Sequence, residues 1–215
     1  MSLKIQSPTV HVIHEEIGWV WEVEHALKNL NARFRRYSSS TNFLRSFHPG
    51  PCECIIIDEA LARTEEGSVL SLLHDRGVDS PLIFIAKTPN VSEAVHAMRH
   101  GAFDYFSLPL ARAEFGDRVQ AALERSHALY CAREERGRRV DMLERLTPRE
   151  RVIAQEVVNG LSSREIAMKY SVSTRTVENH RARLLAKLEF KTSFQLAHLF
   201  MAPVSEGAGE PPPPR

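Results

Sequence analysis

Cysteine is scarce: Cys52, Cys54 and Cys131 are the only three in 215 residues. So small and odd a number excludes a disulfide-stapled scaffold and points to a reducing, cytoplasmic setting. No apolar run approaches the length of a membrane span, so no membrane partner is expected. The run Val10–Ile13, behind a polar start, is too brief for a secretory signal. The sequence also lacks a glycine-rich phosphate loop, a nucleophile–base pair and a His/Cys cluster at metal spacing, so an enzyme is not expected. Cys52-Glu53-Cys54 has no second pair to complete a metal set and reads as the entry to a buried strand. The net charge is only +1, but it is unevenly distributed. Residues 1–125 hold 13 Lys/Arg against 16 Asp/Glu, whereas residues 147–202 hold 9 against 5. An acidic front and a basic back suit a protein with one nucleic-acid face.

The basic back is the most structured stretch to read. Thr147-Pro148-Arg149-Glu150 is a capping box with proline at the first helical position, where its missing N–H costs nothing. Ser162-Ser163-Arg164-Glu165 repeats the box, Ser173 offers a third N-cap, and Thr192-Ser193-Phe194-Gln195 gives a fourth start. Four short helices follow, the second and third separated by the tight turn Tyr170-Ser171-Val172. That is a helix-turn-helix, whose second member can enter a major groove. On a wheel, Val177, Leu184 and Leu188 of this helix point inward. The opposite stripe carries Arg175, Glu178, Asn179 and Ala182, with Arg183, Ala186 and Lys187 around or beyond it. Small residues allow close approach, asparagine can read adenine, and glutamate can accept from cytosine. Arg175, Arg181, Arg183, Lys187 and Lys191 are placed to neutralise phosphates. Read from the residues alone, a solvated mixed-charge helix in a small bundle also fits this pattern.

Residues 146–197 resemble the tetrahelical helix-turn-helix domain of LuxR/FixJ-type transcription regulators. The match rests on Leu146-Thr147-Pro148-Arg149-Glu150, Gly160-Leu161-Ser162, Glu165-Ile166-Ala167, Ser173, Thr176-Val177-Glu178-Asn179-His180 and Leu188. The resemblance implies sequence-specific duplex DNA binding through the helix beginning near Thr174. It also implies a homodimer formed on the last helix, about Ser193–Met201. Arg164, Ser173, Thr174, Arg175, Thr176, Glu178, Asn179, His180, Ala182, Arg183, Lys187 and Lys191 are the candidate DNA-binding residues.

The acidic front alternates strand and helix signals. Strands are expected at Val10–Ile13, Phe34–Tyr37, Cys54–Asp58, Leu82–Ala86 and Asp104–Ser107, the third and fourth continuously apolar as two-sided burial requires. Helices are expected at Val20–Leu30, at Val91–His100 closed by Gly101, and at Ala113–Ala128. The expected fold class is α/β, a doubly wound five-stranded parallel sheet, followed by an all-α four-helix unit. The working site of such a sheet lies beyond the carboxyl ends of its strands. Of the two tryptophans Trp19 and Trp21, one is expected in the core and the other on a partner surface.

This half resembles the receiver domain of two-component response regulators. The match rests on the acidic group after the first strand, Asp58 ending the third, Gly101-Ala102-Phe103-Asp104-Tyr105-Phe106, and Pro109. The resemblance makes Asp58 the candidate phospho-acceptor and Tyr105 the switch residue. It implies a pocket of His14, Glu15, Glu16, Ala86 and Leu108, with Mg²⁺ on Glu15 and Asp58. The pattern is broken at most of these positions. His14 stands at the first acidic place and is read as a surface histidine. Ala86 stands at the hydroxyl place, although Thr88 follows, and Leu108 stands at the lysine place. Lys87 is expected to point away from the pocket by strand alternation. The loop after Asp58 lacks the usual Met-Pro turn and is expected to run longer. Each lost charge-assisted contact costs about 1.5–3 kcal/mol, so an aspartyl phosphate should be poorly made and poorly sensed.

The expected organisation is a receiver-like domain at 1–125, a helical linker at 126–146 with Gly137 as its weak point, a LuxR-type DNA-binding domain at 147–202, and a disordered tail at 203–215. The expected function is a transcription regulator with an atypical receiver controlled independently of phosphorylation. Two alternatives remain open: a conventional switch in which a sensor histidine kinase phosphorylates Asp58, and an anti-activator that binds a regulatory protein and no specific DNA.

Overall fold

The computed structural model describes residues 7–88 and 90–201, so the proline-rich tail at 203–215 lies outside the described residues. The chain divides into two compact units, residues 1–132 and 133–215.

The first unit is built on five parallel strands: β1 (Thr9–Ile13), β2 (Arg33–Tyr37), β3 (Glu53–Asp58), β6 (Leu82–Ala86) and β7 (Asp104–Ser107), in the order β2-β1-β3-β6-β7. Two very short strands, β4 (Arg63–Thr64) and β5 (Gly67–Ser68), pair antiparallel in the loop after Asp58. That small hairpin is what the lengthened loop becomes, and Gly67, at φ 140°, holds its turn where a side chain would strain it. Alternation along β3 explains the two-sided burial. Cys54 and Ile56 join Val10, Val12, Ile83 and Ile85 in one cluster, under Trp19, Val20, Val23 and Leu27 of α1 (Ile17–Ala26) and Phe115, Val119, Ala122 and Leu123 of α5 (Arg112–Glu144). Ile55 and Ile57 join Ile13, Leu82 and Phe84 in the other, under Phe43 and Leu44 of α2 (Ser40–Ser46) and Val69 and Leu73 of α3 (Val69–Asp75). Burying each large aliphatic side chain contributes about 1.5–3 kcal/mol, so these clusters fix which strand ends converge. Helix α4 (Val91–Arg99) buries no residue fully, is capped by Asn90, and is followed by Gly101 at φ 94°.

One local expectation shifts, the extent of the first helix. Helix α1 starts before Val20 and ends at Ala26, because the chain turns at Leu27–Leu30 with the Leu30 N–H on the Leu27 carbonyl, 2.8 Å. Trp19 is the core tryptophan, 4 % exposed, and Trp21 is 64 % exposed. Helix α5 runs unbroken for 33 residues through Gly137.

The second unit packs α6 (Pro148–Val158), α7 (Ser163–Lys169), α8 (Thr174–Leu188) and α9 (Phe194–Met201) around Leu146, Ile153, Ala154, Ile166, Val177, Leu184, Leu188, Leu196 and Leu199. Both capping boxes form, Thr147 with Glu150 and Ser162 with Glu165. Ser173 caps α8 by accepting the Thr176 N–H at 3.1 Å. The fourth box is half made: Gln195 Oε1 accepts from the N–H groups of Lys191 and Thr192 at 2.7 and 3.2 Å. Ser171, in the left-handed region at φ 52°, turns the chain from α7 to α8. No helix among the described residues is long and apolar enough to cross a membrane.

Candidate functional site

In the first unit the carboxyl ends of β1, β3 and β6 deliver His14, Asp58 and Lys87. Asp58 is 7 % exposed, and both its oxygens are occupied. Oδ1 accepts the Ala60 N–H at 2.9 Å, capping the 3₁₀ turn Glu59–Leu61. Oδ2 lies 2.8 Å from His14 Nε2, a close electrostatic contact although the ring N–H is not aligned for a hydrogen bond. The expectation of a surface histidine is corrected here. His14 is 6 % exposed, and its ring stacks on Trp19 at 4.2 Å and 16°. Burial of Trp19 on the first core cluster draws the imidazole under cover with it. His14 Nδ1 accepts the Glu16 N–H at 2.7 Å, which assigns the ring proton to Nε2.

Lys87 is a second correction. The strand ends at Ala86, so strand alternation does not govern Lys87. It lines, with Asp58, Glu59, Ala60, Arg63, Thr88 and Glu93, a cleft of about 630 Å³. Its Nζ donates to Glu16 Oε1 at 2.9 Å. That bond and the paired charge hold the Glu16 carboxyl below the usual carboxylate range and raise the Lys87 ammonium above its own. Ala86 is buried, and Leu108, whose N–H donates to the Ala86 carbonyl at 3.0 Å, packs on the first core cluster rather than on the cleft. Glu15 is exposed. No three His, Cys, Asp or Glu side chains among the described residues converge as metal ligands. Mg²⁺ takes oxygen ligands, and here a protonated ring nitrogen faces Asp58, so the residues present do not fit that ion.

Tyr105 turns inward against the second core cluster, and its hydroxyl donates to Glu59 Oε2 at 2.9 Å. Burial first, and then the bond to the Glu59 carboxylate, push the phenol up to about 12. The switch position is thus tied to the residue that follows Asp58. Sequence reasoning missed Arg63 and Glu59. Both sit in the longer loop, and neither carries a motif that could have singled it out.

The second unit presents the α8 stripe to solvent. Arg175, Glu178, Asn179, Ala182, Arg183 and Lys187 are exposed, while Val177, Leu184 and Leu188 are buried beneath them. Arg164, Ser173, Thr174 and Lys191 are exposed, and Thr176 and His180 are half-buried. Two of the cations have partners inside the unit. Arg181 donates to Ser163 Oγ at 3.0 Å and Ser193 Oγ at 3.1 Å, joining the starts of α7 and α9 and bracing the bundle. Lys187 Nζ donates to Glu150 Oε2 at 2.6 Å. That contact and the Thr147 cap hold Glu150 below the usual carboxylate range against its burial.

The profile of the family "Bacterial regulatory proteins, luxR family" matches residues 144–200, which spans α6 to α9. The transcriptional regulatory protein FixJ of Azorhizobium caulinodans is 30 % identical over 187 residues, covering 86 % of this chain and 87 % of that one. The transcriptional regulatory protein TdiR of Thauera aromatica is 29 % identical over 193 residues, covering 90 % and 85 %. The structure of the response regulator StyR has the same fold, with a TM-score of 0.79 at 23 % identity, covering 90 % of this chain and 98 % of that one. The class is thereby defined: a response regulator whose receiver-like unit precedes a helix-turn-helix output unit. The chain belongs to the FixJ-type response regulators, transcription regulators with a luxR-family DNA-binding domain.

Proposed function

We propose that this regulator works without a phosphoryl group on Asp58. The observation that carries the reading is His14, whose protonated Nε2 lies 2.8 Å from the acceptor oxygen Oδ2. An imidazole whose lone pair is committed to the Glu16 N–H has none left for a cation. Leu108, folded into the core cluster, offers no charge to an incoming phosphoryl oxygen. Tyr105 is already held inward by Glu59, so the residue that phosphate would move has a partner without it. In this reading the output unit binds duplex DNA as a homodimer, each protomer placing α8 in one half-site. Asn179, Glu178 and Arg175 would meet base edges, and Arg164, Lys191 and Arg183 the backbone. Phe194, 76 % exposed at the start of α9, supports a dimer contact on that helix. Control then comes from protein contacts, a small ligand or expression level, in a cytoplasmic protein.

A second reading has its own support: Lys87, Thr88 and Arg63 line the cleft beside Asp58 and could receive a phosphoryl group delivered by a sensor histidine kinase. One experiment separates the two. Treating the full chain with beryllofluoride and Mg²⁺ should leave both its oligomeric state, read by light scattering, and its affinity for a selected duplex within about twofold, below 0.5 kcal/mol. A larger shift that disappears in Asp58→Asn would establish the phospho-switch instead.

A further inference from the structure

A second cleft, about 610 Å³, opens between the start of α6 and the flank of α8, lined by Thr147, Arg149, Glu150, His180, Arg183, Ala186 and Lys187. Its charges are unequal in a telling way. The one carboxylate, Glu150, is 3 % exposed and already receives the Thr147 N–H at 2.9 Å and Lys187 Nζ at 2.6 Å. It therefore neutralises Lys187 and has little left for its neighbours. Arg149 and Arg183 are exposed, His180 is half-buried, and none of the three makes a hydrogen bond or ion pair among the described residues. Two uncommitted guanidiniums and an imidazole therefore line a concave surface that has no free counter-charge. Guanidinium is the side chain best matched to phosphate oxygens, because its donors lie in a planar fork.

The position of the cleft names the source of the phosphate. On the α8 wheel His180 and Arg183 lie beside the stripe of Arg175, Asn179 and Ala182, on the side turned toward α6. A helix lying in a major groove has a phosphate backbone along each flank, and contacts to that backbone set the register in which base edges are read. We propose that one backbone phosphate of the bound duplex seats in this cleft on Arg149, Arg183 and His180. Arg149, which belongs to α6 and not to the reading helix, then acts as a positioning residue for α8. Lys187, held on Glu150, also lines the cleft and keeps that partner. The Thr147 N-cap satisfies the start of α6, so side chains and not free backbone N–H groups carry the binding. The proposal rests on α8 being the groove helix and adds where the backbone is gripped.

The test uses the full chain, a duplex recovered by selection from a random pool, and a duplex of scrambled sequence, with binding read by fluorescence anisotropy across a salt series. Arg149→Gln should weaken both duplexes roughly fivefold, leave their ratio unchanged, and reduce the slope of log affinity against log salt by about one; Arg149→Gln with Arg183→Gln should reduce it by about two. Arg149→Lys, which keeps the charge, should recover most of the slope. A thermal melt identical to the parent's checks that the fold is kept. An unchanged slope in Arg149→Gln would overturn the proposal, and so would a loss confined to the selected duplex, which would mean base readout. Titration with inorganic phosphate, followed by NMR of the His180 ring, adds a further arm. Saturation there with no effect of Arg149→Gln on either duplex would make the cleft a free-anion site and likewise overturn it. Failure of the parent chain to distinguish the two duplexes would instead sink the assignment of α8 as the groove helix.

Discussion

The cleft around Asp58 and the outer face of α8 are both rich in charge, yet they dispose of it in opposite ways. Around Asp58 most charged groups have a neighbour inside the unit: Asp58 lies against His14 and accepts the Ala60 N–H, Glu16 pairs with Lys87, and Glu59 accepts from the Tyr105 hydroxyl, which leaves Arg63 and Glu93 of the lining without an ion pair among the described residues. On α8 the groups that could be neutralised internally lie on the flank, at Arg181 and Lys187, and the stripe itself stays uncommitted. A site whose charges already have partners must give those up before it binds anything, so a ligand there gains only the difference. A site whose charges face water gives up only hydration and counter-ions, which a phosphate backbone replaces. The two regions thus differ in readiness, and on the committed side the difference follows from single residues, His14 and Glu59.

The sharpest way to break this contrast is to reverse charges on the ready face. Arg175→Glu with Arg183→Glu places two carboxylates where the backbone should come, and each like-charge approach costs about 2 kcal/mol or more. Duplex affinity should fall by roughly a thousandfold in electrophoretic mobility assays, while Asp58→Asn, on the committed side, leaves it within about twofold. Promoter occupancy surviving the double reversal would remove α8 from the groove altogether.

A smaller effect should come from undoing the commitment at Asp58. His14→Asp with Leu108→Lys returns a carboxylate and an ammonium to the two broken positions of the receiver pattern. Without a cation, two carboxylates near each other repel, so the variant should melt below the parent. With Mg²⁺ the order should narrow or invert. Replacing a ring N–H by a charged oxygen ligand is worth about 2 kcal/mol, or roughly a 30-fold gain in Mg²⁺ affinity. Trp19, stacked on residue 14 in the parent at 4.2 Å, gives the signal: its emission in a Trp21→Phe background should titrate with Mg²⁺ in the variant and stay flat in the parent. Equal responses would mean that His14 does not hold the cation out.

Much of this architecture was legible in the residues, and what was not has a physical pattern. Period and caps carried the second unit: Val177, Leu184 and Leu188 are buried as the wheel requires, and the Thr147 and Ser162 boxes form as written. All five main strands were visible, β3 and β6 most plainly, because continuous apolar runs such as Ile55-Ile56-Ile57 have few places to go. Helices α2 and α3 were not placed, since each is only seven residues long and too brief for a periodic signal. The candidate site was read by position and not by partner. His14, Ala86, Leu108 and Tyr105 were named, but their contacts depend on tertiary geometry. That Trp19 would cover His14, that Lys87 would leave the strand, and that Glu59 would reach Tyr105 are facts about neighbours distant in the chain. The same limit hid Arg149: it sits inside the capping box that marked α6, but nothing in that box says which way its side chain faces.

The finest test concerns Glu59 and Tyr105. The phenol of Tyr105 is pushed from 10.0 up to about 12, by burial first and the Glu59 carboxylate second. A raised value in the fold means that the fold favours the protonated phenol. Its contribution to stability is therefore fully present below about pH 10 and is lost as pH climbs through about 12. At neutral pH the phenol stays protonated, so it remains a donor to Glu59 under working conditions. In Glu59→Gln the bond to a carboxylate is gone but burial remains, so the midpoint should move only part of the way back toward 10.0. The measurement is tyrosinate absorbance against pH, with the Tyr105→Phe spectrum subtracted to remove Tyr37, Tyr130 and Tyr170. Should the midpoint of Tyr105 stand unmoved in Glu59→Gln, the carboxylate is not what holds the ring inward, and the committed cleft loses one of its three internal pairs.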